Sequence, residues 1–175
     1  IYIDTFRIIM NTSLKIRNPG LRTLPPGVEK YFVKGGGLSV IQISSEDKLE
    51  IINDEGKQTC EVIVFNSKGK SDLSILNLKE NSDANFLKKT ISYDEKISKL
   101  FKRKNLDLSK AKSSIIFDED CLMGEKITLQ SKDNCIVMLA APGKAMNVHE
   151  QNPPTDLTVF LNKSKFEETE EQYIL

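Results

Sequence analysis

The sequence predicts a mainly β domain, a β-sandwich or barrel-like fold of about eight strands with one or two short helices. Three observations carry that expectation. Short runs rich in Val, Ile and Phe recur along the chain, bounded by Gly, Pro, Asn and Asp. One of them, Val62–Phe65, has no polar position at all, which suits a strand covered on both faces. Helical spacing is confined to one short region, Ser82–Lys104.

Taken in order, Ile1–Ile9 is apolar but broken by Asp4 and Arg7, and Met10 opens a more ordinary protein start. The leading residues read equally as an upstream extension or as an extra edge strand. Asn18-Pro19-Gly20 and Pro25-Pro26-Gly27 then punctuate an expected extended arm, Asn11–Gly27. Glu29–Val33 and Leu38–Ile43 read as strands. Between them Gly35-Gly36-Gly37 lacks the Gly-Lys-Ser/Thr and the following helix of a phosphate loop, so it reads as a flexible hairpin connection.

Lys48–Asn66 reads as a central hairpin. Leu49–Ile52 leads in, Asn53-Asp54-Glu55-Gly56 supplies turn residues, and Val62–Phe65 leads out. Ser67–Ser82 reads as a loop with a short helical turn. Ser82–Lys89 suits one or two helical turns with Phe86 and Leu87 inward. Ser92 and Glu95 form the pattern of a capping box, followed by Ile97, Leu100 and Phe101 at helical spacing. The basic run Lys99–Lys104 lies on the outer side of this helix, as a solvated face at the negative end of its dipole. Ser114–Phe117, Lys126–Gln130, Asn134–Ala140 and Asp156–Leu161 complete the strands. The last two are separated by the long loop Pro142–Thr155, which holds the lone histidine, His149.

Composition excludes several classes. Twenty-five basic residues balance twenty-five acidic ones, so there is no excess positive charge for nucleic acid or an anionic membrane surface. No apolar run approaches the roughly 20 residues needed to cross a bilayer. Three widely spaced cysteines, Cys60, Cys121 and Cys135, fit reduced thiols in a cytoplasmic protein better than a disulfide framework. Metal-ligand spacing, nucleotide loops and nucleophile triads are absent from the sequence. A catalytic zinc site takes about three protein ligands, and one histidine with Glu150, Asp156 and a cysteine is a poor supply.

Asp54-Glu55-Gly56-Lys57-Gln58, running into Val64-Phe65-Asn66, resembles the signature of the urea-carboxylase-associated protein family. Ala141–Asn147 and Pro153–Leu157 form a second similar block. The opening Asn18–Gly37 resembles the branch in which such domains precede an aminomethyltransferase, or glycine-cleavage T-protein-like, module.

The resemblance implies a domain at residues 15–162, after an N-terminal extension (1–14) and before an acidic linker (163–175) to a downstream domain. It implies no cofactor in the domain itself and tetrahydrofolate in the parent protein. The partners it implies are the downstream catalytic module, other copies of the domain, or a small polar ligand. No residue is assigned to catalysis or to a metal. Glu61, Asn147, His149 and Asp156 are the candidate ligand-binding residues, with the site expected where the Pro142–Thr155 loop meets the central hairpin near Glu61. Metal-containing members of the family resemble one another in cysteines before the last strand, where this chain has none. The rival reading is a metal- or thiol-dependent hydrolase of small nitrogen compounds, resting on His149, Cys60 and Glu61.

Overall fold

The computed structural model describes residues 24–143, 149 and 153–165. Its eight strands are β1 (Val28–Val33), β2 (Leu38–Ile43), β3 (Lys48–Asn53), β4 (Cys60–Asn66), β5 (Ser114–Ile116), β6 (Glu125–Gln130), β7 (Cys135–Ala140) and β8 (Leu157–Asn162). Two four-stranded antiparallel sheets result, with spatial orders β1-β8-β3-β6 and β2-β7-β4-β5. Two helices follow β4: α1 (Asn85–Tyr93) and α2 (Glu95–Lys104). The expected arm Asn11–Gly27 falls largely outside the described residues, as does the N-terminal extension.

The layers are sheet, sheet, helices. Between the sheets, alternate residues of every strand interdigitate: Ile41, Leu49, Ile51, Val62, Val64, Val137, Leu139, Val159 and Leu161 are buried there. On the far face of the β2-β7-β4-β5 sheet a second core forms. Ile63, Phe65, Met138 and Ala140 pack there against Leu87, Ile91 and Phe101 of the helices. Phe65 and Phe101 meet edge to face, with ring centroids 5.5 Å apart. This explains why β4 and β7 read as nearly continuous apolar runs. Both faces of that sheet are covered, whereas the described residues cover the β1-β8-β3-β6 sheet on one face only, and its strand β3 alternates.

The same fact corrects the central hairpin. β3 pairs with β6 and β8, and β4 pairs with β5 and β7, so the two arms lie in different sheets. An alternating arm suits a half-exposed sheet and a fully apolar arm a doubly covered one, so the two belong apart. Asn53–Thr59 is therefore a corner between sheets. The triple glycine is corrected likewise: β1 and β2 belong to different sheets, and Gly35–Gly37 crosses between them.

The helix start also moves. Asp94, not Ser92, caps α2, its carboxylate accepting from the backbone N–H groups of Lys96 (2.9 Å) and Ile97 (3.1 Å). Ser92 sits at the end of α1, where its hydroxyl donates to the Lys89 carbonyl. Lys102, Arg103 and Lys104 are exposed in the last turn of α2, as a solvated face requires.

Truncating the shared wall should be costly. Val64→Ala or Leu139→Ala is expected to lower stability by about 1–5 kcal/mol. Outward-facing Lys126→Ala should change it by no more than about 0.5 kcal/mol. Urea titrations of the three variants measure the difference, and equal effects would contradict the layer assignment.

Candidate functional site

Glu61 is the first sequence-derived candidate, and its carboxylate is almost fully buried. It projects from β4 to the helical side of its sheet. There one oxygen accepts from the Leu87 backbone N–H at 2.9 Å; the other accepts from the Ser113 hydroxyl at 2.9 Å and the Ser82 hydroxyl at 3.3 Å. Ala84, at the N-cap position of α1, has no side-chain oxygen to satisfy the first turn. The sheet supplies one instead, and a carboxylate is favoured at that end of the helix dipole. Glu61 thus joins α1 to β4.

Asp156 lies just before β8. Its carboxylate accepts from the Lys34 ammonium at 2.6 Å and the Gly35 backbone N–H at 2.9 Å. The Lys34 hydrogen bond, followed by that of Gly35, holds its carboxyl below the usual carboxylate range. His149 is exposed in a turn. Asn147 lies outside the described residues, as does Glu150. Glu61 and Asp156 share no hydrogen-bond partner: one serves the helices, the other the crossing between β1 and β2.

The residue that reaches the two feet of the Pro142–Thr155 loop is Gln58, which sequence reasoning quoted in a motif but gave no role. It is buried at the corner between β3 and β4. Its amide nitrogen donates to the carbonyls of Thr59 (2.8 Å) and Pro142 (3.0 Å), and its amide oxygen accepts from the Thr155 N–H at 2.9 Å. One side chain therefore binds the residue that leaves β7 and the residue that approaches β8. The signal was available in principle. A glutamine amide among apolar strands needs partners on both its ends, and loop backbone is a ready source.

Around this clamp the backbones approach closely. Gly36 N–H donates to the Ala141 carbonyl (2.8 Å) and Ala141 N–H to the Gly37 carbonyl (3.1 Å). A Cβ on Gly35 would lie 2.1 Å from the Pro154 carbonyl oxygen, so no larger residue fits there. On the other side Asn53 donates to the Gln58 carbonyl (2.7 Å) and to the Cys121 sulfur (3.3 Å). Lys57 N–H donates to the Cys121 carbonyl (2.8 Å), tying the turn before β6 to the same corner. Two buried polar atoms, Asn53 Oδ1 and Thr155 Oγ1, have no partner among the described residues. Both belong to residues bonded to Gln58.

The three thiols are free and buried. Burial pushes the Cys60 thiol up strongly and that of Cys135 up as well; burial, then the Glu125 carboxylate, raises Cys121 to about 11. None is poised as a thiolate nucleophile. In register Cys135 lies opposite Asn66, the far end of β4 from Cys60. Six residues of strand, roughly 20 Å, therefore separate the two. Among the described residues no group of three His, Cys, Asp or Glu side chains is placed to hold a metal ion. The thiol donors thus do not fit a shared zinc site with His149.

Over 153 residues the chain is 28% identical to trimethylamine-oxide aldolase of Ruegeria pomeroyi; the match covers 85% of this chain and 19% of that protein. The chain thus spans less than a quarter of its relative's length. No family model matches it, so the urea-carboxylase-associated resemblance rests on the quoted motifs alone. No helix among the described residues is long and apolar enough to cross a membrane.

Gln58→Ala would leave the Pro142 carbonyl and the Thr155 N–H without their partner, at a cost of roughly 1–3 kcal/mol. Hydrogen exchange should show the Thr155 amide losing protection in this variant while the Val64 amide keeps it. Unchanged protection at Thr155 would refute the clamp. The Cys121 thiol gives a pH test. The folded state keeps its proton while the unfolded chain releases it, so this contribution is complete below the ordinary value of 9.0 and fades as pH rises towards about 11. Denaturation from pH 8 to 11 should show a shallower decline for Cys121→Ala than for the parent chain; parallel profiles would contradict it.

Proposed function

We propose that this chain is a non-catalytic, N-terminal domain of a larger enzyme acting on small nitrogen compounds. In the finer reading the parent is aminomethyltransferase-like: a downstream module moves a one-carbon unit from a methylated amine to tetrahydrofolate. The observation that carries the reading is the likeness to trimethylamine-oxide aldolase, which runs along 85% of this chain and only 19% of that protein. The site geometry supports it. The buried thiols are held protonated, and the one buried carboxylate at the candidate positions is occupied with a helix terminus.

Within such a protein the domain packs on the catalytic module, or binds a small polar ligand beside Gln58. The unpartnered atoms of Asn53 and Thr155 favour the second role, because a ligand or an ordered water there would supply the missing hydrogen bonds. A cytoplasmic location belongs to the same proposal, and the three unpaired thiols support it. The rival reading is a metal- or thiol-dependent hydrolase on Cys60, Glu61 and His149; its thiol-dependent form needs a reactive thiolate, which the buried Cys60 does not offer.

The test compares the full-length polypeptide with residues 1–175 alone in an assay of trimethylamine-oxide and methylated-amine consumption. The full-length protein is expected to turn over and the 175-residue chain to show no activity above background. Equal turnover per mole by the short chain would overturn the non-catalytic reading.

A further inference from the structure

The two sheets differ in what covers them. The helices close the outer face of the β2-β7-β4-β5 sheet, but nothing among the described elements packs on the outer face of the β1-β8-β3-β6 sheet. Register places two rows there: Phe32, Thr158, Ile52 and Lys126 in one, Lys30, Phe160, Glu50 and Thr128 in the next. Phe32 is 51% exposed, and Phe160 and Ile52 are only half-buried. The Lys30 ammonium lies over both rings, 4.8 Å from the centre of Phe32 and 5.5 Å from that of Phe160. Two rings gathered around one ammonium on a regular strand face mark a contact surface more strongly than the exposed turn residues Leu122 and Met123.

We propose that this face is the docking surface for a second module of the same polypeptide, a folded unit presenting an apolar patch with a carboxylate opposite Lys30. The inference rests on the reading of the chain as part of a larger enzyme. Two observations select that occupant over a second copy of this chain.

The first is area. Four strands at about 4.8 Å spacing and six residues at about 3.4 Å rise make a face of roughly 400 Å². A stable free dimer buries about 800 Å² per partner. The face is closer to the contact between modules of one chain, where the covalent link supplies an effective concentration in the millimolar range.

The second is where the chain enters and leaves. Val28 opens β1 opposite Asn162, which closes β8, and Lys163 N–H donates to the Gly27 carbonyl at 2.8 Å. The following residue is fixed as well, Ser164 N–H donating to Asp47 at 2.8 Å. Both ends of the described domain therefore emerge together at one end of this sheet, beside the face that no described element covers.

The test uses the full-length polypeptide. Phe32→Glu with Phe160→Glu removes the apolar contact, and Lys30→Glu keeps the rings and reverses the charge. All three side chains point away from both cores. Either variant should speed protease cleavage of the segment after residue 165 roughly tenfold or more, the loss expected of an anchoring aromatic, and should split a single calorimetric transition into two. Unchanged cleavage and calorimetry in both variants, with circular dichroism intact, would overturn the docking proposal and leave the larger-enzyme reading standing. Self-association of residues 1–175 that the double variant abolishes would replace the occupant with a second copy and overturn the proposal too. A native polypeptide no larger than this 19.8 kDa chain would instead sink the larger-enzyme reading, and the docking proposal with it.

Discussion

Everything in this molecule depends on β4 having no side that faces water. Cys60, Val62 and Val64 point into the space between the sheets, while Glu61, Ile63 and Phe65 point to the helices. A strand in that position needs apolar cover twice over, and the helical segment between β4 and β5 exists to provide the second layer. Among the described residues Glu61 is the one buried charge that enters that layer. It is tolerated because a backbone N–H and two hydroxyls surround it. Burying a carboxylate is costly unless it is hydrogen-bonded in this way, so the position fixes where α1 begins.

The switch from β3 to β4 has a further consequence. To pass from a sheet that the described residues cover on one face to one they cover on both, the chain turns a corner at Asn53–Thr59, and that corner carries buried polar side chains. Asn53 holds the corner to itself and to Cys121, and Gln58 extends the network to both feet of the loop before β8. The crossing from β1 to β2 meets the same feet from the other side, through Gly35 and Asp156. Two inter-sheet connections thus converge on one loop, and the Gln58 amide and close backbone contacts hold its ends.

Much of this was legible in the sequence. All eight strands are read within about two residues because each is a short apolar run with strong turn signals on either side. Strand partnership was not legible. Asn53–Gly56 satisfies the local chemistry of a hairpin, and only the difference between an alternating β3 and an unbroken β4 says that the arms part. The α2 cap was missed by two residues because Ser92 and Asp94 are both good caps, and the length of α1 decides between them. Of the candidate site residues, Glu61 and Asp156 are anchored by partners 21 to 122 positions away in sequence, which no local pattern reveals. Gln58 escaped for the same reason, since its partners Pro142 and Thr155 are distant in sequence.

In the larger enzyme proposed above, the chemistry lies outside these residues. The most direct measurement is kcat and KM of the full-length protein carrying His149→Ala or Asp156→Asn, with folding checked by circular dichroism. For both variants kcat is expected to stay within about twofold of the unsubstituted protein, since removing a group that takes no part in the transition state leaves the barrier unchanged. Loss of about a hundredfold or more in kcat, in a variant that remains folded, would put a catalytic group in this domain and overturn its non-catalytic role.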